Sequence, residues 1–92
     1  MSSDLKARLE AAVRDAIRPA SLDRLDVTEG LDHDGDQVLR LRAVYDDRRP
    51  DPTGERMLAA YDLLFPILDE VGEPRYPLMT FVALSEADEA AA

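Results

Sequence analysis

Apolar residues change their spacing along this chain, and each change marks an element. Leu5, Leu9, Ala12, Val13, Ala16 and Ile17 line one side of an α-helix, while Lys6, Arg8, Glu10, Arg14, Asp15 and Arg18 form its solvated face. Ser2 or Ser3 can cap its start, Asp4 suits the positive end of its dipole, and Pro19 stops it. From Leu22 the period becomes two. Leu25, Val27 and Leu31 alternate with Arg24, Asp26 and Thr28, and Leu39, Leu41, Ala43 and Tyr45 alternate with Arg40, Arg42 and Val44. Between the two runs lies Asp32-His33-Asp34-Gly35-Asp36, whose Asp-Gly pair is a tight-turn signal, so the region reads as a β-hairpin. Gly30 marks either a bulge or the start of a longer loop.

The polar connection over residues 46–54 ends in a second helix start, where Asp51 or Thr53 can accept from the first amides and Pro52 fits the first turn. Met57, Leu58, Tyr61, Leu64, Phe65 and Leu68 make the second helical stripe, and Gly72 followed by Pro74 marks its end. Pro66 removes a backbone donor inside that stripe and collides with the preceding turn, which predicts a kink or a break into two short helices near residues 62–66. Tyr76 to Leu84 is the third strand, with Pro77 near its start, where a missing donor does least harm. From Leu78 to Leu84 it is apolar on both faces apart from Thr80, as in a central strand or an edge covered by something else. Residues 85–92 place Ser85 and Asp88 at capping-box spacing but are too few for a stable helix unless docked; an acidic, alanine-rich flexible tail is expected there.

The expected fold is therefore α+β: one small domain over residues 1–92 in the order α-β-β-α-β, a three-stranded sheet with two helices packed on one face. The opposite face would carry Arg24, Asp26, Thr28, Arg40 and Arg42, with Val38, Val44 and part of the third strand. This order of elements is similar to that of BolA-like and type II KH domains. The likeness is one of topology, since the GxxG loop of KH domains is absent and His33 lies in the hairpin turn rather than before the last strand.

Charge narrows the functions open to such a domain. The 92 residues hold 20 acidic and 11 basic side chains, a net charge of −9. Nucleic acid and anionic membranes call for clustered Lys and Arg, so a basic protein is the easier partner. Residues 1–50 hold 9 basic and 11 acidic groups, net −2, whereas residues 51–92 hold 2 and 9, net −7. With no Cys there are no disulfides or thiolate metal sites, and the first residues lack the apolar core of a secretory signal. No apolar run approaches the roughly 20 residues of a membrane span, so the cytoplasm is the expected compartment. A domain this small leaves apolar surface for a second copy or a partner to cover.

Candidate chemistry is sparse. The turn Asp32–Asp36 gathers carboxylates, but placing Gly35 at the sixth position of an EF-hand loop puts Gly30 at the first and Leu41 at the twelfth, so the ligand pattern fails. His33 has no second His or Cys to join, and the acidic pairs Asp46-Asp47 and Asp69-Glu70 are adjacent rather than opposed. No Walker loop, dinucleotide fingerprint or HExxH is present. No catalytic, cofactor or metal residues are therefore expected. Arg40, Arg42, Arg48 and Arg49 are the one basic concentration; Asp26 or Glu29 across the hairpin can neutralise Arg40 and Arg42, or the pair can meet a partner's carboxylate or phosphate. Tyr45, Tyr61, Phe65, Tyr76 and Phe81 belong to the core and its margin, with Tyr45 and Tyr76 expected to reach an interface.

These observations point to a small acidic cytoplasmic protein-interaction module. It would be a homodimer or a subunit that binds a larger, basic protein as an antitoxin or inhibitor does, through Arg40, Arg42, Tyr45, Asp69, Glu70 and Tyr76. The alternative is a ligand-binding or enzyme subunit whose site is completed at an oligomer interface from Arg40, Arg42 and nearby acids.

Overall fold

Residues 3–91 are described in the backbone of the computed structural model, and residues 3–87 in their side chains. Helix α1 (Ser3–Ala16) buries Leu5, Leu9 and Val13 on the predicted stripe, and Ile17 continues the buried line beyond it. The proposed cap Ser2 lies outside the described residues.

Strands β1 (Leu22–Leu31) and β2 (Gln37–Tyr45) form the expected antiparallel hairpin. At its turn Gly35 adopts φ +86°, which a side chain would oppose, and its N–H donates to the Asp32 carbonyl at 3.0 Å. The Asp32 carboxylate is spent inside the turn, accepting from the N–H groups of Asp34 and Asp36 at 2.9 Å each. Gly30 is neither a bulge nor a loop start. It stays in register opposite Val38, and the irregularity falls between Leu22 and Arg24 instead. The missing side chain at Gly30 makes room for Arg40, whose Nε would stand 3.0 Å from a Cβ built there.

Helix α2 (Gly54–Glu70) starts at Thr53, whose hydroxyl accepts from the Arg56 N–H at 3.2 Å. Pro52 is buried one residue ahead of that cap rather than in the first turn. Pro66 does not divide the helix in two: α2 runs unbroken through it. Leu64 and Leu68 are buried on either side and hold both halves to the core, while Pro66 and Asp62, whose carbonyl loses its partner, are exposed to water. The buried line also differs from the apolar stripe. Ala60 joins Leu64 and Leu68 inside, whereas Leu58 and Phe65 face outward at 68% and 38% exposure. A small residue lets the helix approach the sheet closely, and apolar periodicity alone gives it no weight. The end of α2 is a Schellman turn: Gly72 adopts φ +73° and donates to the Asp69 carbonyl, and the Glu73 N–H donates to Leu68.

Strand β3 (Tyr76–Ala83) pairs in parallel with β2, giving the order β1-β2-β3. A parallel neighbour needs a crossover, which α2 supplies, and β1 already occupies the other side of β2. β3 is therefore an edge strand rather than a central one. Helix α3 (Leu84–Ala91) follows directly, docked by the fully buried Ala87 and by the Ser85 hydroxyl, which donates to Asp47 at 2.6 Å. The side chain of Asp88, proposed for a capping box, lies outside the described residues.

The result is an α+β domain with three mixed strands in one sheet, α1 and α2 sharing one of its faces. Leu9, Val13, Ile17, Leu25, Leu39, Leu41, Ala43 and Leu64 fill the space between them. Leu64→Ala is expected to cost about 2–5 kcal/mol, because a fully buried side chain leaves a cavity the packed layers cannot close. Phe81→Ala should cost less, since Phe81 is only partly buried on the edge strand. Urea denaturation of the two variants tests that order, and a larger loss at Phe81 would mean that the centre of the core lies over β3.

Candidate functional site

Side chains alternate along β2, so the strand that supplies Leu39, Leu41 and Ala43 to the core must present Arg40 and Arg42 on the opposite face. The register sets three rows across that face: Arg24–Val44–Val82, Asp26–Arg42–Thr80 and Thr28–Arg40–Leu78. α3 packs over the ends of β2 and β3, where Val44 and Ala87 are fully buried apart from the main core. The remaining two rows line a shallow depression of about 330 Å³ bounded by Asp26, Thr28, Arg40, Leu41, Arg42, Leu78 and Thr80.

The arginines in it are not equivalent. Arg42 donates to Asp26 at 3.0 Å, and Arg24 reaches the same oxygen from the neighbouring row at 3.3 Å while also holding Asp23 at 3.1 Å. Partial desolvation pushes the Asp26 carboxyl up, but the two guanidinium hydrogen bonds outweigh it and hold the group below its ordinary value. Arg42 is thus internally matched, as the sequence allowed. Arg40 is not. It extends over Gly30 and donates to the Leu31 carbonyl at 2.8 Å, and among the described residues no carboxylate pairs with it. Its other expected partner, Glu29, pairs instead with Arg75 at 2.8 Å.

Arg75 is a residue that sequence reasoning passed over. Its guanidinium bridges Glu29 of the hairpin and Glu73 of the turn after α2, the latter at 2.8 Å and 2.9 Å. Glu73 is one fork of this bridge, and the hydrogen bonds from Arg75 depress its pKa from 4.5 to about 2. The Glu73-Pro74-Arg75 spacing hints at the local contact, but only the return of β3 alongside β2 brings Glu29 within reach.

The other nominated residues lie elsewhere. Tyr45 ends β2 half-buried against the core, and burial, followed by the nearby Asp51, Glu86 and Asp47, raises its phenol pKa. Tyr76 opens β3 at 55% exposure with its ring edge-on to Phe65 at 5.6 Å; Phe65 in turn stacks on Tyr61 at 5.5 Å. Asp69 and Glu70 are exposed at the end of α2, where Glu70 accepts from Arg8 of α1 at 2.9 Å and ties the helices together. Arg48 turns back on Asp46 in the loop, at 3.0 Å and 3.2 Å. His33 stands with its side chain 92% exposed beside Asp34. Among the described residues no three His, Cys, Asp or Glu side chains converge to hold a metal ion.

What the open face offers chemically, among the described residues, is a guanidinium without a carboxylate, the hydroxyls of Thr28 and Thr80, and the apolar Leu78, all set on strands rather than loops. No family model matches the chain, and no curated protein or solved structure does either. No helix among the described residues is long and apolar enough to cross a membrane.

The depressed carboxyl of Glu73 has a consequence for stability. Its contribution is present in full above the unfolded value of 4.5 and is lost as the pH falls from there toward about 2. Urea midpoints measured across that window should fall less steeply for Glu73→Gln than for the parent chain, whose stability should exceed the variant's near neutral pH. Parallel curves would show that the bridge contributes nothing.

Proposed function

We propose that this chain is a cytoplasmic protein-interaction module that catalyses no reaction itself, and that it takes a carboxylate-bearing segment of a larger protein on the open face of its sheet. The observation that carries this reading is Arg40: a strand-borne cation with no carboxylate partner among the described residues, beside Thr28 and Leu78 in the depression. A guanidinium fork binds a carboxylate through two parallel hydrogen bonds, and the rigid strand beneath it limits the entropy lost on binding. The net charge of −9 sets a second requirement. The rest of the partner has to be basic, so that the acidic half of this chain, including the exposed Asp69, meets an opposite surface while Arg40 receives the acid. An antitoxin or inhibitor of a basic protein has this division of charge.

An extended peptide alternating glutamate with valine, titrated by fluorescence anisotropy, tests the acid-binding part of the reading. Its binding should depend on the guanidinium, and Arg40→Ala should lower the affinity about tenfold through loss of a charge-assisted contact. The Arg40 bond to Leu31 is exposed, so the variant keeps the fold. Equal binding by Arg40→Ala would remove the basis of the proposal.

A further inference from the structure

The two edges of the sheet are built differently. β1 carries Asp23, Arg24, Asp26 and Glu29, and Glu10 of α1 reaches across to accept the Leu25 N–H at 3.1 Å. Charge and an inward carboxylate of this kind keep other strands away. β3 has neither safeguard. Residues 76–85 contain no charged side chain, and β3 is the last strand in the sheet order. Only its start is closed, because Pro77 has no N–H and its carbonyl accepts from the Tyr61 hydroxyl.

The helix beside that edge is apolar on the same side. Tyr61 and Phe65 of α2 lean over the start of β3, Tyr61 through its bond to Pro77 and Phe65 through its contact with Tyr76. Leu58 lies one turn earlier on the same side of the helix and is 68% exposed. An uncharged strand edge and an exposed apolar helix flank therefore form one continuous strip on a protein whose net charge is −9.

We propose that this strip binds a second copy of the chain, β3 pairing antiparallel with β3 across a two-fold axis at Thr80. The occupant follows from charge and pattern. A two-fold interface sets each patch against itself, so any net charge on it would meet its like, and the uncharged strand edge at its centre avoids that repulsion. Centred on Thr80, the pairing places Leu78 opposite the partner's Val82 and Met79 opposite the partner's Phe81, apolar against apolar on each face, with the two threonines facing each other. It also turns the Arg75 end of one strand toward the Glu86 end of the other. The joined sheet has six strands, both helical layers lie on one side, and Leu58 and Phe65 approach the axis from each copy. Arg40 lies on β2, one strand in from the paired edge, while Leu78 and Thr80 line both the depression and the pairing.

Thr80 is exposed in the single chain, so Thr80→Lys and Thr80→Glu leave the fold intact, which circular dichroism will confirm. In sedimentation equilibrium the parent chain should be a dimer at micromolar concentrations. Thr80→Lys alone should dissociate about tenfold more readily or worse, because like charges then face each other at the axis, and Thr80→Glu should weaken the dimer less, because Arg42 stands beside position 80 in the same row. An equimolar mixture of the two should recover the dimer, since the facing charges become opposite. A parent chain that stays monomeric at hundreds of micromolar overturns the proposal. So do variants that dimerise as the parent does, and so does a mixture no more associated than its components. The peptide titration compares the parent chain with Arg40→Ala, which leaves β3 unaltered, so its outcome does not bear on the oligomeric state.

Discussion

β2 is bonded to a neighbour along both edges and carries Leu39, Leu41 and Ala43 into the space beneath α1 and α2. It is the strand on which everything else is hung. Its alternation allows no compromise: whatever it buries on one side, it exposes on the other. Arg40 and Arg42 are therefore held on the open face by the same backbone that builds the core. A rigid strand gives these cations fixed positions, which a loop would not. The neutralisation of Arg42 by Asp26, and the absence of a carboxylate at Arg40 among the described residues, then follow from register.

The position of β3 is a consequence of the same strand. With β1 bonded to one edge of β2, the α2 crossover brings β3 back to the other, which leaves the strand with the least charge at the rim. The elements around it are tied by polar contacts at the margins. Arg75 links the hairpin to the turn after α2, Tyr61 holds the start of β3, and Asp47 receives the first residues of α3. The carboxylate of Asp47 lies against the N-terminal turn of α3, where the helix dipole favours negative charge. An eight-residue helix is marginal alone, and these contacts with the buried Ala87 supply what it lacks.

The chain's own pattern determined the elements, because helix and strand periods reflect which residues a neighbouring layer will bury, and that signal is local. The α1 stripe, the hairpin with its turn at Gly35, the Thr53 and Gly72 caps and the pairing of both helices with one sheet face were all legible. So was the placement of Arg40 and Arg42 on the other face. Tertiary structure decided what depends on distant segments. It set β3 at an edge, carried α2 through Pro66 by anchoring both sides of the proline, and chose Ala60 over Leu58 and Phe65 for the interior. It also separated Arg42 from Arg40, two residues alike in sequence, by giving one a carboxylate across the hairpin and the other a backbone carbonyl. Those outcomes turn on which residues meet across the sheet, and no local period records that.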